Sequence, residues 1–233
     1  MRTSVRYSAS LLALAALAMC AGNRAQAQST ATRTAGNGTY IASDPLSSVH
    51  YDNRYDVSLG MAYDHMKAGP TLLEGSNLGG LDLSASYWFS KRWAVEGSGR
   101  GYVGTSVAKP NTVDINGPFV AQYLFVAGPE WLGPHNKHGA LIAHALVGGA
   151  YGHFEQDLRG SSPEVTGFYN NQVAPAAIIG GHMDLNRSAR WVFRITPDAV
   201  ITRYGINYGD KITQTDVNFA ISVGVQYKFK GKR

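Results

Sequence analysis

Cysteine is almost missing from this chain: of 233 residues only Cys20 carries a thiol, and it lies in the N-terminal leader described below. Without that leader there is no disulfide framework, no thiolate nucleophile and no cysteine-based zinc site. Long hydrophobic runs are also lacking. The apolar run Leu11–Ala21 is far shorter than the ~20 residues of a membrane-spanning helix, and nothing after residue 27 is long enough to replace it. Charged residues make up only 16% of the chain. No Lys/Arg cluster interleaved with aromatics occurs, which argues against a nucleic-acid partner. Helical periodicity is poor throughout. The one glycine-rich match, "GSGRGYVG" over residues 97–104, lies inside a strand pattern with no helix after it, so it is not a phosphate loop.

What is present begins with a leader. Arg2 and Arg6 precede Leu11–Ala21, and Ala25-Gln26-Ala27 supplies small residues for cleavage. Residues 1–27 are therefore expected to be a signal peptide, with the mature chain starting near Gln28. Met19 stands where a lipoprotein acylation box has a small residue, so Cys20 is not expected to be lipidated. Residues 1–27 hold three arginines and no acid, so their removal lowers the formal charge from +5 to +2.

Residues 28–54 are rich in Ser, Thr, Gly, Asn and Ala and have no sustained period, which reads as a flexible segment. From Tyr55 the pattern changes to alternation. Eight segments follow it, roughly 55–64, 79–89, 93–103, 115–132, 140–153, 173–185, 191–203 and 216–229. Each reaches the ~9–11 residues that a tilted strand needs to cross a bilayer. The connections after the second, fourth and sixth segments are short and polar, whereas those spanning 65–78, 104–114, 154–172 and 204–215 are long. Trp88, Trp93, Trp131 and Trp191 all fall at the short-turn end. Trp suits a membrane interface because an apolar ring carries an N–H that needs a wet partner. Trp93, Trp131 and Trp191 are the candidate interface residues; Trp88 has the phase of an inward-facing floor residue.

The two faces differ in kind. In Trp93–Gly104, Glu96, Ser98 and Arg100 share one face; in Trp191–Thr202, Arg194, Thr196 and Asp198 do. An Arg on the lipid face near the midplane costs about 2–4 kcal/mol. Inside a narrow barrel, Glu96, Arg100, Arg194 and Asp198 are expected to neutralise one another. The rings of Tyr87, Phe89, Phe119 and Tyr123 are expected to cover the glycine strip Gly97, Gly99, Gly101. Pro118, Pro129, Pro175 and Pro197 each remove a ladder donor, so bulges or ladder breaks are expected there.

With leader, spans, alternating loops and the terminal Tyr227-Lys228-Phe229, residues 55–229 resemble the small eight-stranded outer-membrane β-barrels, the group of the OmpA transmembrane domain and OmpX. The segments "ALIAHALVGGAYG", "IIGGHMDLN" and "FRITPDAV" resemble those of uncharacterised bacterial outer-membrane barrels. The resemblance implies an all-β fold: an eight-stranded antiparallel up-and-down transmembrane β-barrel in the outer membrane of a Gram-negative-type bacterium. It implies contact with outer-membrane lipids and an assembly signal at Tyr227 and Phe229 read by the barrel-insertion machinery; unlike full-length OmpA, no peptidoglycan-binding domain is expected after the barrel. The basic tail, residues 230–233, departs from that pattern.

Eight strands leave an interior that side chains fill, so a general diffusion pore is not expected. The favoured reading is a monomeric structural or surface-interaction protein, with no catalytic residues, cofactor or metal. The alternatives are a narrow gated channel and a secreted soluble lipocalin-like barrel with its apolar faces inward around a ligand. His182 and Asp184 share an inward face, but no serine stands two residues after any histidine, so a lipid-modifying enzyme is not expected. His135 and His138 lack a third ligand, and His144 reads as an interior hydrogen-bonding residue. The longest loop, residues 154–172 with Phe168 and Tyr169 near its end, could bind a host, phage or matrix partner, and could equally be a solvated connection.

Overall fold

The computed structural model describes residues 44–231 apart from 73, 107–114, 116, 209 and 230, together with a short ladder pairing Arg33–Thr34 with Thr39–Tyr40. The expected signal peptide, most of the segment 28–43 and most of the basic tail lie outside the described residues. Two units divide the chain, Met1–Asp44 and Pro45–Arg233, and the second is the barrel.

Eight strands build it: β1 (Tyr55–Met66), β2 (Ser76–Trp88), β3 (Trp93–Thr105), β4 (Phe119–His135), β5 (Gly139–His153), β6 (Gln172–Asn186), β7 (Trp191–Tyr208) and β8 (Asp210–Lys228). Each pairs antiparallel with its sequence neighbour, and β8 returns to β1 through ten register pairs from Phe219↔His65 to Lys228↔Asp56. Closure pairs each strand of the barrel wall on both sides, which removes the free edge of an open sheet there. All eight expected spans are present, most of them longer than expected. The short turns are residues 89–92, 136–138 and 187–190.

The fourth long connection differs from expectation. Residues 204–215 are not an open loop: β7 and β8 stay paired out to Tyr208↔Asp210, above the last β6–β7 pair at Ala176↔Thr202. The result is a two-stranded hairpin projecting beyond the barrel rim. Ile206, Tyr208, Ile212, Thr213 and Thr215 are β-branched or aromatic and supply strand propensity through this stretch.

The proline expectations divide. The ladder between β4 and β5 skips Gly128 and Pro129, and that between β6 and β7 skips Pro197, both without a change of register. Pro175 sits within a continuous ladder opposite Gly149. Pro118 precedes β4 and uses its carbonyl to accept the Ser106 N–H at 2.9 Å. The register shift comes instead between Leu132 and His135, around Gly133-Pro134. There a proline without an N–H is accommodated by the extra residue of a bulge.

Alternation decides which way each side chain points. Leu59, Met61, Leu81, Leu83, Phe125, Val147, Ile179, Val223 and Val225 are exposed around the outside. Ser58, Asp82, Ser84, Glu96, Ser98, Arg100, Asp184, Arg194, Asp198 and Ser222 are buried inside. This is the reverse of a lipocalin-type barrel, whose apolar faces would line the interior. The glycine strip is partly covered, by Tyr123 at Gly101 and Phe125 at Gly99, with nothing over Gly97. Tyr123 was among the expected rings; Phe125 takes the place of Tyr87, Phe89 and Phe119 because the β3–β4 register sets it opposite Gly99.

Candidate functional site in the barrel interior

Aromatics mark the two ends of the outer face. At the short-turn end, Trp93 and Trp131 are register partners across β3 and β4. Trp191 meets Tyr227 edge-on at 4.9 Å, Tyr227 meets Phe229 at 5.1 Å, and Tyr55 meets Tyr87 at 5.2 Å; of these seven rings Tyr227 is half-buried and the other six are exposed. Trp88, by contrast, turns inward, where its indole N–H donates to Asp56 at 2.7 Å. Tyr63, Tyr123, Tyr151 and Phe219 ring the opposite end. Eight residues separate Tyr55 from Tyr63, which at ~3.3 Å per residue and a tilt of ~40° places the two belts roughly 20 Å apart.

Both mouths are filled by described residues. At the short-turn end a strap, residues 45–54, crosses the opening. Its Tyr51 hydroxyl donates to the Asn136 carbonyl at 3.1 Å and accepts from the Asn186 amide at 2.7 Å. The Lys228 ammonium stands over the Tyr51 ring at 4.2 Å. Asn53 donates to Asp56, and Val49 is buried. The flexible segment expected over 28–54 is therefore packed in its last ten residues, because its few hydrogen-bonding and aromatic side chains meet the turn residues of the barrel floor.

At the other end the longest connection folds into the mouth. It carries one helical turn, α1 (Pro163–Thr166), capped by Gly167 at φ 79. Asn171 accepts the N–H groups of Phe154 and Glu155, and Glu155 in return accepts from the Asn171 N–H. Phe154, Phe168, Tyr169 and Tyr204 pack with Met66, Leu72 and Leu158 in one buried cluster. The Tyr169 N–H donates to the Ala68 carbonyl, and its hydroxyl donates to Asp216. Burial, reinforced by the Asp216 carboxylate, pushes the Tyr169 phenol above its ordinary range, so it stays a donor. Phe168 and Tyr169 are thus buried in the mouth rather than presented on the surface of this loop.

Between the two plugs lies the charge network. Arg100 pairs with Asp198 at 2.5 Å and with Asp82 at 3.4 Å. Arg194 makes a two-pronged contact with Asp184, at 2.8 and 3.0 Å. Glu96 meets neither arginine: its Oε2 lies 2.7 Å from His144 Nδ1 and 3.2 Å from His182 Nε2. The four expected charges do share the interior, but only Arg100 and Asp198 pair with each other. Asp82, His144, His182 and Asp184 complete the set. Inward phase was the available signal for them; which ones meet depends on contacts across the barrel that no local pattern encodes.

Gly180 is required beside this network. A Cβ there would overlap the Asp198 carboxylate and lie 2.6 Å from the Pro197 carbonyl, which cannot swing away. Gly180→Ala is expected to lower folding stability by about 1–3 kcal/mol through overpacking, read as a shifted urea midpoint in detergent. An unchanged midpoint would refute the close approach.

The fold matches solved structures. The crystal structure of the outer membrane protein OprG from Pseudomonas aeruginosa aligns over 79% of this chain and 99% of its own, with a TM-score of 0.54 at 17% identity. Ail, the attachment invasion locus protein of Yersinia pestis, aligns over 76% and 99%, with a TM-score of 0.47 at 18% identity. Outer Membrane Protein W of E. coli aligns over 78% and 100%, with a TM-score of 0.42 at 11% identity. Neither a protein-family model nor a curated protein sequence matches the chain. The likeness to OprG is one of fold: a closed, up-and-down barrel of eight antiparallel strands.

Proposed function

We propose that this chain is an integral, monomeric protein of the bacterial outer membrane, with a structural or surface-interaction role and no catalytic activity. One observation carries the reading: a continuous apolar exterior surrounds a buried, charged interior. Water on the outside would leave that exterior unpaid for, whereas lipid suits it, and a closed barrel satisfies every backbone group without solvent. The fold shared with OprG supports the same address. In this orientation the short turns, the start of β1 and the end of β8 face the periplasm, and the long connections face outward. Trp93, Trp131 and Trp191 then sit at the periplasmic interface, and Tyr227 and Phe229 form the signal for the insertion machinery.

The filled mouths favour a closed barrel over a gated channel. α1 and its neighbours, including the exposed Val165, present the outward surface on which a partner would act. Extraction from isolated outer membranes tests the address: the protein should stay with the membrane in a high-salt wash and migrate differently on gels before and after boiling. Release by salt would sink the proposal. In planar bilayers the purified protein should give no discrete conductance steps, and reproducible steps would favour the channel instead.

A further inference from the structure

The interior holds more negative than positive charge. Among the described buried residues eight carboxylates, those of Asp56, Asp64, Asp82, Glu96, Glu130, Asp184, Asp198 and Asp216, stand against Arg100, Arg194 and Lys228. Such an imbalance in a medium of low dielectric calls for protons or a cation. It is sharpest at one place. Among the described residues one group of three is close enough to share an ion: Glu96, His144 and His182, whose ligand atoms all lie within 4.8 Å of one another.

The surroundings of the two imidazoles fit a metal. His144 has carboxylate oxygens at both nitrogens, Glu96 at 2.7 Å from Nδ1 and Asp198 at 2.9 Å from Nε2. If Nε2–H donates to Asp198, Nδ1 faces Glu96 with a lone pair, and either a proton or a cation must lie between the two. His182 is arranged similarly: Nδ1 meets the Thr196 hydroxyl at 2.9 Å, and Nε2 points at Glu96. Metal-bound histidines characteristically donate their far N–H to a carboxylate, carbonyl or water that fixes the ring; Asp198 and the Thr196 hydroxyl take that place here. Arg100 in turn holds Asp198. The rings are perpendicular, with centroids 4.6 Å apart.

A fourth ligand is at hand. Glu130 is fully buried, neither of its carboxylate oxygens makes a hydrogen bond, and Oε1 lies 4.0 Å from His182 Nε2. Glu96 Oε1 is likewise without a partner. Bonds of ~2.0–2.2 Å in a tetrahedral site separate ligand atoms by about 3.3–3.5 Å. Small side-chain shifts therefore suffice: Glu96 withdraws slightly from His144, and Glu130 moves toward His182. Two imidazoles with carboxylates suit a first-row transition ion rather than calcium or magnesium, which prefer all-oxygen sites.

We propose that Glu96, His144 and His182, assisted by Glu130, form a binding site for a divalent transition-metal cation such as Zn²⁺ inside the barrel. The site is fully enclosed, so the ion enters as the barrel folds.

The test is refolding of the chain into detergent micelles with a slight excess of Co²⁺, followed by desalting, metal analysis and visible spectroscopy. One Co²⁺ per chain should be retained, with an absorption band in the visible that added Zn²⁺ abolishes when supplied during refolding. His144→Gln and His182→Gln should each weaken retention at least a hundredfold. Thr196→Val, which keeps all ligands, should weaken it about tenfold and covers the case in which a ligand variant does not fold. Gel migration before and after boiling reports folding in every sample. The joint variant His135→Gln/His138→Gln, on an exposed turn, should bind as the parent does. Absence of retained Co²⁺ in folded protein would overturn the proposal, as would retention unaffected by His182→Gln and Thr196→Val, or retention lost with the turn histidines.

Discussion

Replacing Arg194 by Met should lower folding stability by about 3–5 kcal/mol, the usual cost of leaving one partner of a buried ion pair uncompensated. The Asp184 carboxylate accepts both prongs of the guanidinium and is itself buried, so water cannot replace the lost cation. The comparison that isolates the pair is Arg194→Met with Asp184→Leu. Removing both charges eliminates the stranded carboxylate, and the double variant should recover most of the loss. Urea unfolding of the barrel in lipid vesicles, followed by tryptophan fluorescence, measures both. A loss below about 1 kcal/mol for the single variant would mean that Asp184 is solvated or finds another partner, against the structure.

The second large effect is expected on the outer face. Val147 lies in the middle of β5 between Ala127 and Ala177, with 68% of its surface exposed. If water surrounded the barrel, Val147→Arg would change stability by less than about 0.5 kcal/mol, as most surface substitutions do. If hydrocarbon surrounds it, the same substitution near the midplane costs about 2–4 kcal/mol. Side-chain orientation has already placed the apolar face outward, so this one residue reports which solvent that face meets. Vesicle-based unfolding reads the difference, and a neutral Val147→Arg would remove the lipid-facing interpretation.

Much of the barrel was legible in the sequence because a strand encodes its faces with a period of two. Val217, Phe219, Ile221, Val223 and Val225 alternate with small or polar residues, and their outward direction follows once the charges of Glu96, Arg100, Arg194 and Asp198 claim the inside. The loops were less legible. Phe168 and Tyr169 sit in a connection without periodicity, and their burial depends on Ala68, Asp216 and Tyr204, which come from three other parts of the chain. The interior site was legible only in part. Phase alone turns Glu96, His144 and His182 inward, but Glu96 lies on β3 and the histidines on β5 and β6. Their meeting depends on the stagger of strands around a closed cylinder, which is absent from any local window.

The strap across the short-turn mouth has a consequence for the order of assembly. Tyr51 finds its partners on the β4–β5 turn, at the end of β6 and at the end of β8, while Trp88 and Arg54 fasten the strap to β2 through a backbone hydrogen bond of 2.9 Å. These positions converge only when the first and last strands have joined. A segment that precedes every strand of the barrel in the chain is therefore among the last to settle, and its docked state records that the ring has closed.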